Sequence, residues 1–547
     1  MKAHLLYRHR DFDWKWVLRA AAQRYAARNG RRPYRNEDIN FDAHAALPWN
    51  TEALTLDLGL NTLLEAMGDG DDYIFEAARR VLLEGVKGDL NVIQYRQPIL
   101  RDCLAQPAVV RELYAVAAAA TEQNKGHYLG LLARYPDWVL RDAIERIGTF
   151  LAFLKDLRRI ADLHADKFVS EGWSGLFAML KRDLSDDYLT LVQGHLEELR
   201  FSKGELLSAE LGQGNKGAGY LIHRAPAMAG KWLGWWNGLF EEKAPTYGFA
   251  LHPRDEAGFR ALAELRNQGI AAAASALGQA ADQVSDFFSM LRAELAFYVG
   301  CLNLHQQLVA AGGSTCMPVA AAARERRLSF RGLYDGGLAL RLNEPVVGND
   351  ADADMKDLVM ITGPNNGGKS TFLRSVGLAQ LMMQSGMFVA AESFCSSLCE
   401  GLFTLYKREE DPNMRSGKFD EELGRMNEIV EHLRPHSMIL LNESFAATNE
   451  REGSEVAWQI VSALLEKSVR VIYVTHMYEL AHRFYDKHAP NALFLRAARQ
   501  AEGTRTFKLC EGKPLPTSFA EDVYNAIFAA DGGGPPGEAE KVPESAP

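Results

Sequence analysis

Apolar residues recur every three to four positions through most of the stretch from residue 48 to residue 308, and this period is typical of amphipathic helices. The runs Leu56–Leu64 and Ile147–Leu157 show it clearly, because polar residues separate their apolar ones at helical spacing. Short polar breaks divide one run from the next. The pattern predicts a mostly α-helical domain over residues 48–316 that serves as a scaffold or lever.

A glycine-rich segment interrupts this helical pattern near residues 200–250. Leu206–Leu211 and Tyr220–Arg224 are typical of two short strands around the turn Gly212–Gly219, which predicts a small β insert. Three tryptophans follow within Lys231–Trp236. Such a cluster suits a nucleic-acid contact, but tryptophan pairs lie more often in a core or an interface, so both interpretations stay open.

After the helical region the pattern changes to short, continuous apolar runs separated by glycine-bearing turns and helices. Asp357–Thr362, Ser437–Leu441 and Val469–Thr475 are typical of strands buried on both faces. Helical segments between them predict βαβ units, a mainly parallel sheet and ligands at the carboxyl ends of its strands. We expect an α/β domain over residues 317–530 and a disordered tail over residues 531–547.

Composition excludes several classes of protein. The 547 residues are 47% hydrophobic and 24% charged, which is typical of globular proteins and predicts three or four folding units. A net charge of −10 excludes a polycation that coats nucleic acid. Residues 1–47 are nevertheless a basic segment, with ten Lys or Arg against two Asp in the first 36 residues. This segment either contacts phosphates or docks on acidic residues of the protein itself.

Six scattered cysteines exclude a disulfide scaffold and provide no zinc-binding spacing. The N-terminal residues lack the apolar core of a signal peptide, and no run of about twenty apolar residues is found. We therefore expect a cytoplasmic protein without a membrane partner.

A nucleotide-binding motif stands directly after the first buried strand. It consists of Gly363, Pro364, Asn365, Asn366, Gly367, Gly368, Lys369, Ser370 and Thr371, which satisfy the pattern G-x-x-x-x-G-K-[ST]. Backbone N–H groups of such a loop and the N-terminus of the following helix bind phosphates. Lys369 is expected to reach the β- and γ-phosphates of ATP, and the Ser370 hydroxyl is expected to ligate Mg²⁺.

The other two buried strands end in residues suited to ATP hydrolysis. Asn442 stands where an ATPase places an Asp for Mg²⁺, and Glu443 follows where a carboxylate orients the attacking water. An amide oxygen supplies no charge, so Asn442 predicts weaker Mg²⁺ binding or slower turnover. His476 ends the third run, where its imidazole can sense the γ-phosphate.

These motifs and their order resemble the MutS family of DNA mismatch repair ATPases. Residues 363–371 match its GPN-x-x-GKST loop, and Phe372–Arg374, Met387–Ala391, Ala446–Asn449 and Thr517–Tyr524 resemble the surrounding family sequence. Upstream, Tyr95–Leu104 is similar to the start of the family's core and lever helices. The resemblance implies that residues 317–530 form an ABC-type P-loop ATPase domain preceded by the helical domain. It further implies that this helical domain, over residues 48–316, is the core and lever domain and that the β insert near residues 200–250 is clamp-like.

The resemblance also implies a homodimer in which each ATP lies between the loop of one subunit and Ser416 of the other. Tyr334 is the aromatic residue expected to stack on adenine, although a surface tyrosine is an equal alternative. DNA is the implied partner, together with other repair proteins. Only about fifty residues precede the core-like region, so we expect a MutS-related protein without the mismatch-reading and connector domains.

Two functions from different classes follow. The first is a slow ATPase that couples ATP hydrolysis to binding of mismatched, branched or damaged DNA in repair or recombination. The second is an ATP-switched scaffold with little hydrolysis that acts on a protein partner, which Asn442 favours and the retained Glu443 and His476 oppose. A transporter-type or chromosome-organising ATPase shares the loop, but Ser370 and Asn442 are only 72 positions apart, which leaves no room for a long coiled-coil arm.

Overall fold

The computed structural model describes most of the chain. The described residues are 1–31, 41–44, 47–124, 134–201, 206–215, 217–223, 248, 250–364, 367–408, 417–487, 491–499 and 505–515. Predictions for Asn365, Asn366, Ser416, the tryptophan cluster, residues 517–524 and the tail lie outside them.

Helices occur along the whole described chain and dominate its first two thirds. They are α1 (Trp14–Arg28), α2 (Thr51–Asp57), α3 (Leu60–Gly68), α4 (Asp72–Glu84), α5 (Leu90–Ala105), α6 (Pro107–Asn124), α7 (Pro136–His164), α8 (Glu171–Asp183), α9 (Asp186–Leu199), α10 (Glu256–Ala310), α11 (Gly336–Leu342), α12 (Lys369–Gln384), α13 (Lys418–His432), α14 (Glu450–Glu466) and α15 (Tyr478–Asp486). Short 3₁₀ turns lie at Ala165–Lys167, Gln213–Asn215 and Ala323–Glu325.

The strands of the described residues form three sheets. They are β1 (Leu206–Leu211), β2 (Gly217–His223), β3 (Val319–Ala321), β4 (Leu328–Leu333), β5 (Asn349–Asp352), β6 (Leu358–Thr362), β7 (Ser393–Ser397), β8 (Leu402–Tyr406), β9 (Met438–Asn442), β10 (Arg470–Val474), β11 (Ala492–Arg499) and β12 (Arg505–Glu511). The chain divides into two compact units, Met1–Trp14 with Asp102–Ala296, and Lys15–Arg101 with Phe297–Pro547. The predicted domain boundaries at residues 48, 317 and 531 stay predictions.

The first unit contains a helical bundle and the antiparallel hairpin of β1 and β2. The predicted strand Leu206–Leu211 is observed, while its partner begins at Gly217 instead of Tyr220 because Leu211 still pairs with Gly217. The α7 helix buries residues at a spacing of three and four, such as Leu140, Ala143 and Ile147. This spacing explains why the helical pattern was visible in the sequence.

The second unit is organised by a six-stranded sheet with the order β12-β11-β6-β10-β9-β8. Every neighbouring pair is parallel except β11 and β12, so the prediction of a mainly parallel sheet is confirmed. The three predicted strands are observed as β6, β9 and β10. All five residues of β6 are buried, because helices cover both faces of the sheet. A four-stranded sheet, β3-β7-β4-β5, completes the unit.

Acidic side chains of the protein bind several residues of the basic N-terminal segment. Within the second unit, Arg24 and Arg28 both contact a carboxylate oxygen of Asp72, at 3.0 and 2.8 Å, and Arg24 also pairs with Glu65. Within the first unit, Arg8 pairs with Glu171. These contacts support the alternative in which the basic segment docks on the protein's own surface.

The α10 helix contains an 18-residue window with a mean hydropathy of 1.2, which would be long and apolar enough to cross a membrane. However, 94% of this window is buried within the protein. Burial of this kind is typical of a core helix.

Candidate functional site

Three segments with chemically active side chains meet at one edge of the six-stranded sheet. Strands β6, β10 and β9 are neighbours and parallel, so their carboxyl ends at Thr362, Val474 and Asn442 lie side by side. The loop from Gly363 follows the first strand, and His476 follows the second. Ligands of open α/β sheets bind at this edge.

The phosphate loop depends on glycines at two points. Gly363 has φ +126° and Gly368 has φ +85°, which are backbone conformations that other residues rarely adopt. A Cβ atom on Gly363 would also lie 3.0 Å from both N and Cβ of Ala497. Gly368 caps α12, which begins at Lys369 and directs its free N–H groups toward the loop.

The Lys369 side chain is folded back over its own loop. Its Nζ atom donates hydrogen bonds to the carbonyl oxygens of Gly363 and Pro364, at 2.9 and 2.8 Å. Only 4% of the residue is exposed, and burial lowers the pKa of the amine to about 8, which nearby Glu443 partly counteracts. The amine therefore lies inside the loop with its positive charge poorly solvated.

Ser370 and Asn442 meet although they are 72 positions apart in the chain. The Ser370 hydroxyl donates a hydrogen bond to Oδ1 of Asn442 at 2.9 Å. Both side chains supply hard oxygen atoms of the kind that Mg²⁺ prefers, and neither carries charge. The pair therefore fits Mg²⁺, which it would hold with two uncharged oxygen atoms.

Glu443 and His476 form the second polar pair of the site. Oε1 of Glu443 lies 2.7 Å from Nε2 of His476, and both side chains are partly exposed. The hydrogen bond from His476 lowers the pKa of the Glu443 carboxyl despite its partial burial. Glu443 is thus a carboxylate near neutral pH, and the imidazole fixes its direction.

A cavity of about 440 Å³ lies beside the loop, where Gly368 and Thr371 form part of its wall. Tyr334 lines this cavity and is only 5% exposed, so it is not a surface tyrosine. Its hydroxyl has no hydrogen-bond partner among the described residues, and burial raises its pKa to about 12. Phe507 lines the same cavity, with φ +56°, and the sequence contained no motif that would have identified it.

The structure therefore brings together Gly363, Gly368, Lys369, Ser370, Asn442, Glu443 and His476, with Tyr334 in the adjoining cavity. Asn365, Asn366 and Ser416 lie outside the described residues, so their roles stay predictions.

The fold and this site define a P-loop nucleotide-binding domain. A model of the MutS2 N-terminal domain matches residues 88–311, and a model of MutS domain V matches residues 359–525. The chain belongs to the MutS family, as its motifs indicated.

Similar proteins include three that are each named DNA mismatch repair protein MutS. The chain is 36% identical over 135 residues to that of Microcystis aeruginosa, 35% over 151 residues to that of Thermotoga sp. strain RQ2, and 29% over 212 residues to that of Porphyromonas gingivalis. The matched segments are 24%, 27% and 35% of this chain and 15%, 19% and 24% of those proteins. The similarity to each relative thus covers less than a quarter of that relative's length.

Proposed function

We propose that this protein is a MutS-related ATPase that binds and hydrolyses ATP as a dimer and couples this cycle to DNA. The observation that carries the proposal is the convergence of Lys369, the Ser370–Asn442 pair and the Glu443–His476 pair at the carboxyl edge of one parallel sheet. Each of these groups has a defined task in phosphoryl transfer to water.

ATP binding requires the two loop side chains to change partners. Lys369 leaves the carbonyl oxygens of Gly363 and Pro364 and neutralises charge on the β- and γ-phosphates. The oxygens of Ser370 and Asn442 would hold Mg²⁺, directly or through water. Bound there, the ion supplies positive charge against the charge that develops in the transition state. Because Asn442 adds no negative charge, we expect slow turnover.

Glu443 is the group that polarises the attacking water. Its carboxylate form is favoured by the hydrogen bond from His476, so it can accept a proton from water at neutral pH. His476 holds that carboxylate and reports the presence of the γ-phosphate. The cavity beside the loop accepts the adenine, with Tyr334 as its stacking partner.

The DNA partner is proposed from the names of the relatives, which are mismatch repair proteins. We propose that the homodimer acts on mismatched, branched or damaged DNA, with Ser416 of each subunit completing the other's ATP site. Other repair proteins would join it. All six cysteines belong to the described residues and none of them forms a disulfide, which supports a cytoplasmic location.

The test is steady-state ATPase at stated salt, with and without duplex, mismatched, branched and single-stranded DNA. Wild-type turnover that disappears in Lys369→Ala and rises with one DNA structure supports the proposal. Turnover that survives Lys369→Ala refutes hydrolysis at this site. Sedimentation with and without ATP measures the dimer separately.

An ATP-switched scaffold is the second candidate, and the uncharged Asn442 favours it. The Glu443→Gln variant separates the two functions, because it removes the base while preserving a hydrogen-bond acceptor. A trapped ATP-bound dimer indicates real hydrolysis in the wild type. If the wild type shows no turnover and Glu443→Gln binds ATP and the partner as the wild type does, the protein is the scaffold.

A further inference from the structure

The turn that carries Glu443 has an unusual backbone. Glu443 has φ +54° and Phe445 has φ +66°, although neither is a glycine. Residues other than glycine adopt this region only when surrounding contacts hold them there, and such positions concentrate at functional sites. The contacts that hold this turn therefore determine where the Glu443 carboxylate lies.

Besides the hydrogen bond from the backbone N–H of Glu443 to the carbonyl of Val474 at 2.8 Å, three hydrogen bonds to other elements hold Ser444 and Phe445. Oε2 of Glu422 accepts from the backbone N–H of Phe445 at 2.6 Å. The Tyr473 hydroxyl donates to the backbone carbonyl of Ser444, and the Ser444 hydroxyl donates to the carbonyl of Leu405 at 2.6 Å. These contacts join the turn to α13, β10 and β8 respectively.

Glu422 differs from the other contacts because it is a buried carboxylate on a helix. It is 6% exposed and lies on the buried face of α13 with Met426 and Ile429. Burial raises the pKa of its carboxyl, so this position is unfavourable for a charge, and the N–H of Phe445 partly compensates. An apolar residue would fit the same helix face without this cost.

We propose that Glu422 is a positioning residue for ATP hydrolysis, which holds the Glu443–Phe445 turn in its strained conformation and so aims the Glu443 carboxylate. Tyr473 supports the same turn from β10. The inference rests on the proposed ATPase function. It assigns Glu422 to the chemical step and not to nucleotide binding, because neither it nor Tyr473 lines the loop or the adjoining cavity.

The test compares Glu422→Met, Glu422→Gln and Tyr473→Phe with the wild type. Methionine keeps the volume but removes the acceptor, whereas glutamine keeps an oxygen that can accept from Phe445. We expect Glu422→Met to lower kcat by about tenfold or more, since small displacements of a catalytic group have effects of this size. Glu422→Gln should restore kcat to within about threefold of the wild type.

Nucleotide affinity separates positioning from general damage to the fold. Fluorescent ATP analogue binding should stay within about twofold of the wild type in all three variants, and KM should change less than kcat. Glu428→Ala is the matched control, because Glu428 is an exposed carboxylate on the same helix. It should leave kcat and KM unchanged.

Wild-type kcat in Glu422→Met, or a loss of kcat that only parallels lost nucleotide binding, overturns the inference. If Glu422→Met does not fold, the nearly isosteric Tyr473→Phe serves as the test. A several-fold loss of its kcat at unchanged nucleotide affinity supports the inference, and a wild-type kcat refutes it. Lys369→Ala is measured alongside. If Lys369→Ala loses turnover while Glu422→Met stays active, the inference about Glu422 is refuted and the proposed function stands. If Lys369→Ala keeps full turnover, the proposed function is refuted as well.

Discussion

ATP binding by this protein should take up a proton, because the buried amine of Lys369 is only partly charged before the nucleotide arrives. Burial lowers the pKa of this amine from 10.5 to about 8 in the free protein. Contact with anionic phosphates favours the charged form and raises the pKa again. Binding above pH 7 must therefore draw a proton from solution.

The size of this effect follows from the pKa of the free protein. The fraction of neutral amine, and hence the proton uptake, is about 0.1 at pH 7, about 0.5 at pH 8 and about 0.9 at pH 9. Above pH 8 the dissociation constant for ATP should rise toward tenfold for each pH unit, since each unit costs about 1.4 kcal/mol.

Titration calorimetry in two buffers of different ionisation enthalpy measures the uptake directly. Lys369→Met should abolish it, and Lys467→Met, which removes an exposed lysine at the end of α14, should preserve it. Equal heats in the two buffers at pH 8 would refute the reasoning. The same uptake in Lys369→Met would assign the proton to another group.

Three further substitutions test the site and its sheet. Asn442→Asp should raise Mg²⁺ affinity and kcat on the order of tenfold, because it adds a negative charge beside Ser370. Turnover that depends on Mg²⁺ concentration as in the wild type would contradict this. Gly363→Ala should cost about 1–3 kcal/mol of unfolding free energy, because φ +126° and Ala497 oppose a Cβ, and urea denaturation checks it. Arg470→Met removes the side chain that donates hydrogen bonds to three backbone carbonyls, and it should lower the free energy of unfolding by about 2–3 kcal/mol. An unchanged Tm would refute this expectation.

Much of the sheet could be predicted because its strands are buried on both faces and so form unbroken apolar runs. The expected Ser437–Leu441 is the observed Met438–Asn442, displaced by one residue at each end. The Lys369 and Ser370 positions followed from a short local motif. Their present partners did not, because the hydrogen bond from Ser370 to Asn442 depends on the order of strands in the sheet.

The role inferred for Glu422 illustrates a different limit. The sequence showed an acidic segment before the second buried strand, but adjacent glutamates at 421 and 422 look alike there. Helical phase distinguishes them, because Met426 and Ile429 stand four and seven residues after Glu422 on the buried face. The hydrogen bond from the Phe445 N–H to the Glu422 carboxylate could not be predicted from the sequence, because it depends on the positive φ values of the turn.

The combination of Asn442 with Glu443 and His476 separates two parts of the catalytic machinery that usually occur together. Asn442 supplies no charge at the proposed Mg²⁺ position, which would weaken the electrostatic stabilisation of the transition state. The hydrogen bond between Glu443 and His476 holds the carboxylate that we propose to polarise water. We expect the uncharged Asn442 to lower the rate of hydrolysis without abolishing it, since an amide oxygen would still hold Mg²⁺ directly or through water. A slow cycle prolongs the ATP-bound state, and that is the state in which the proposed dimer would hold DNA.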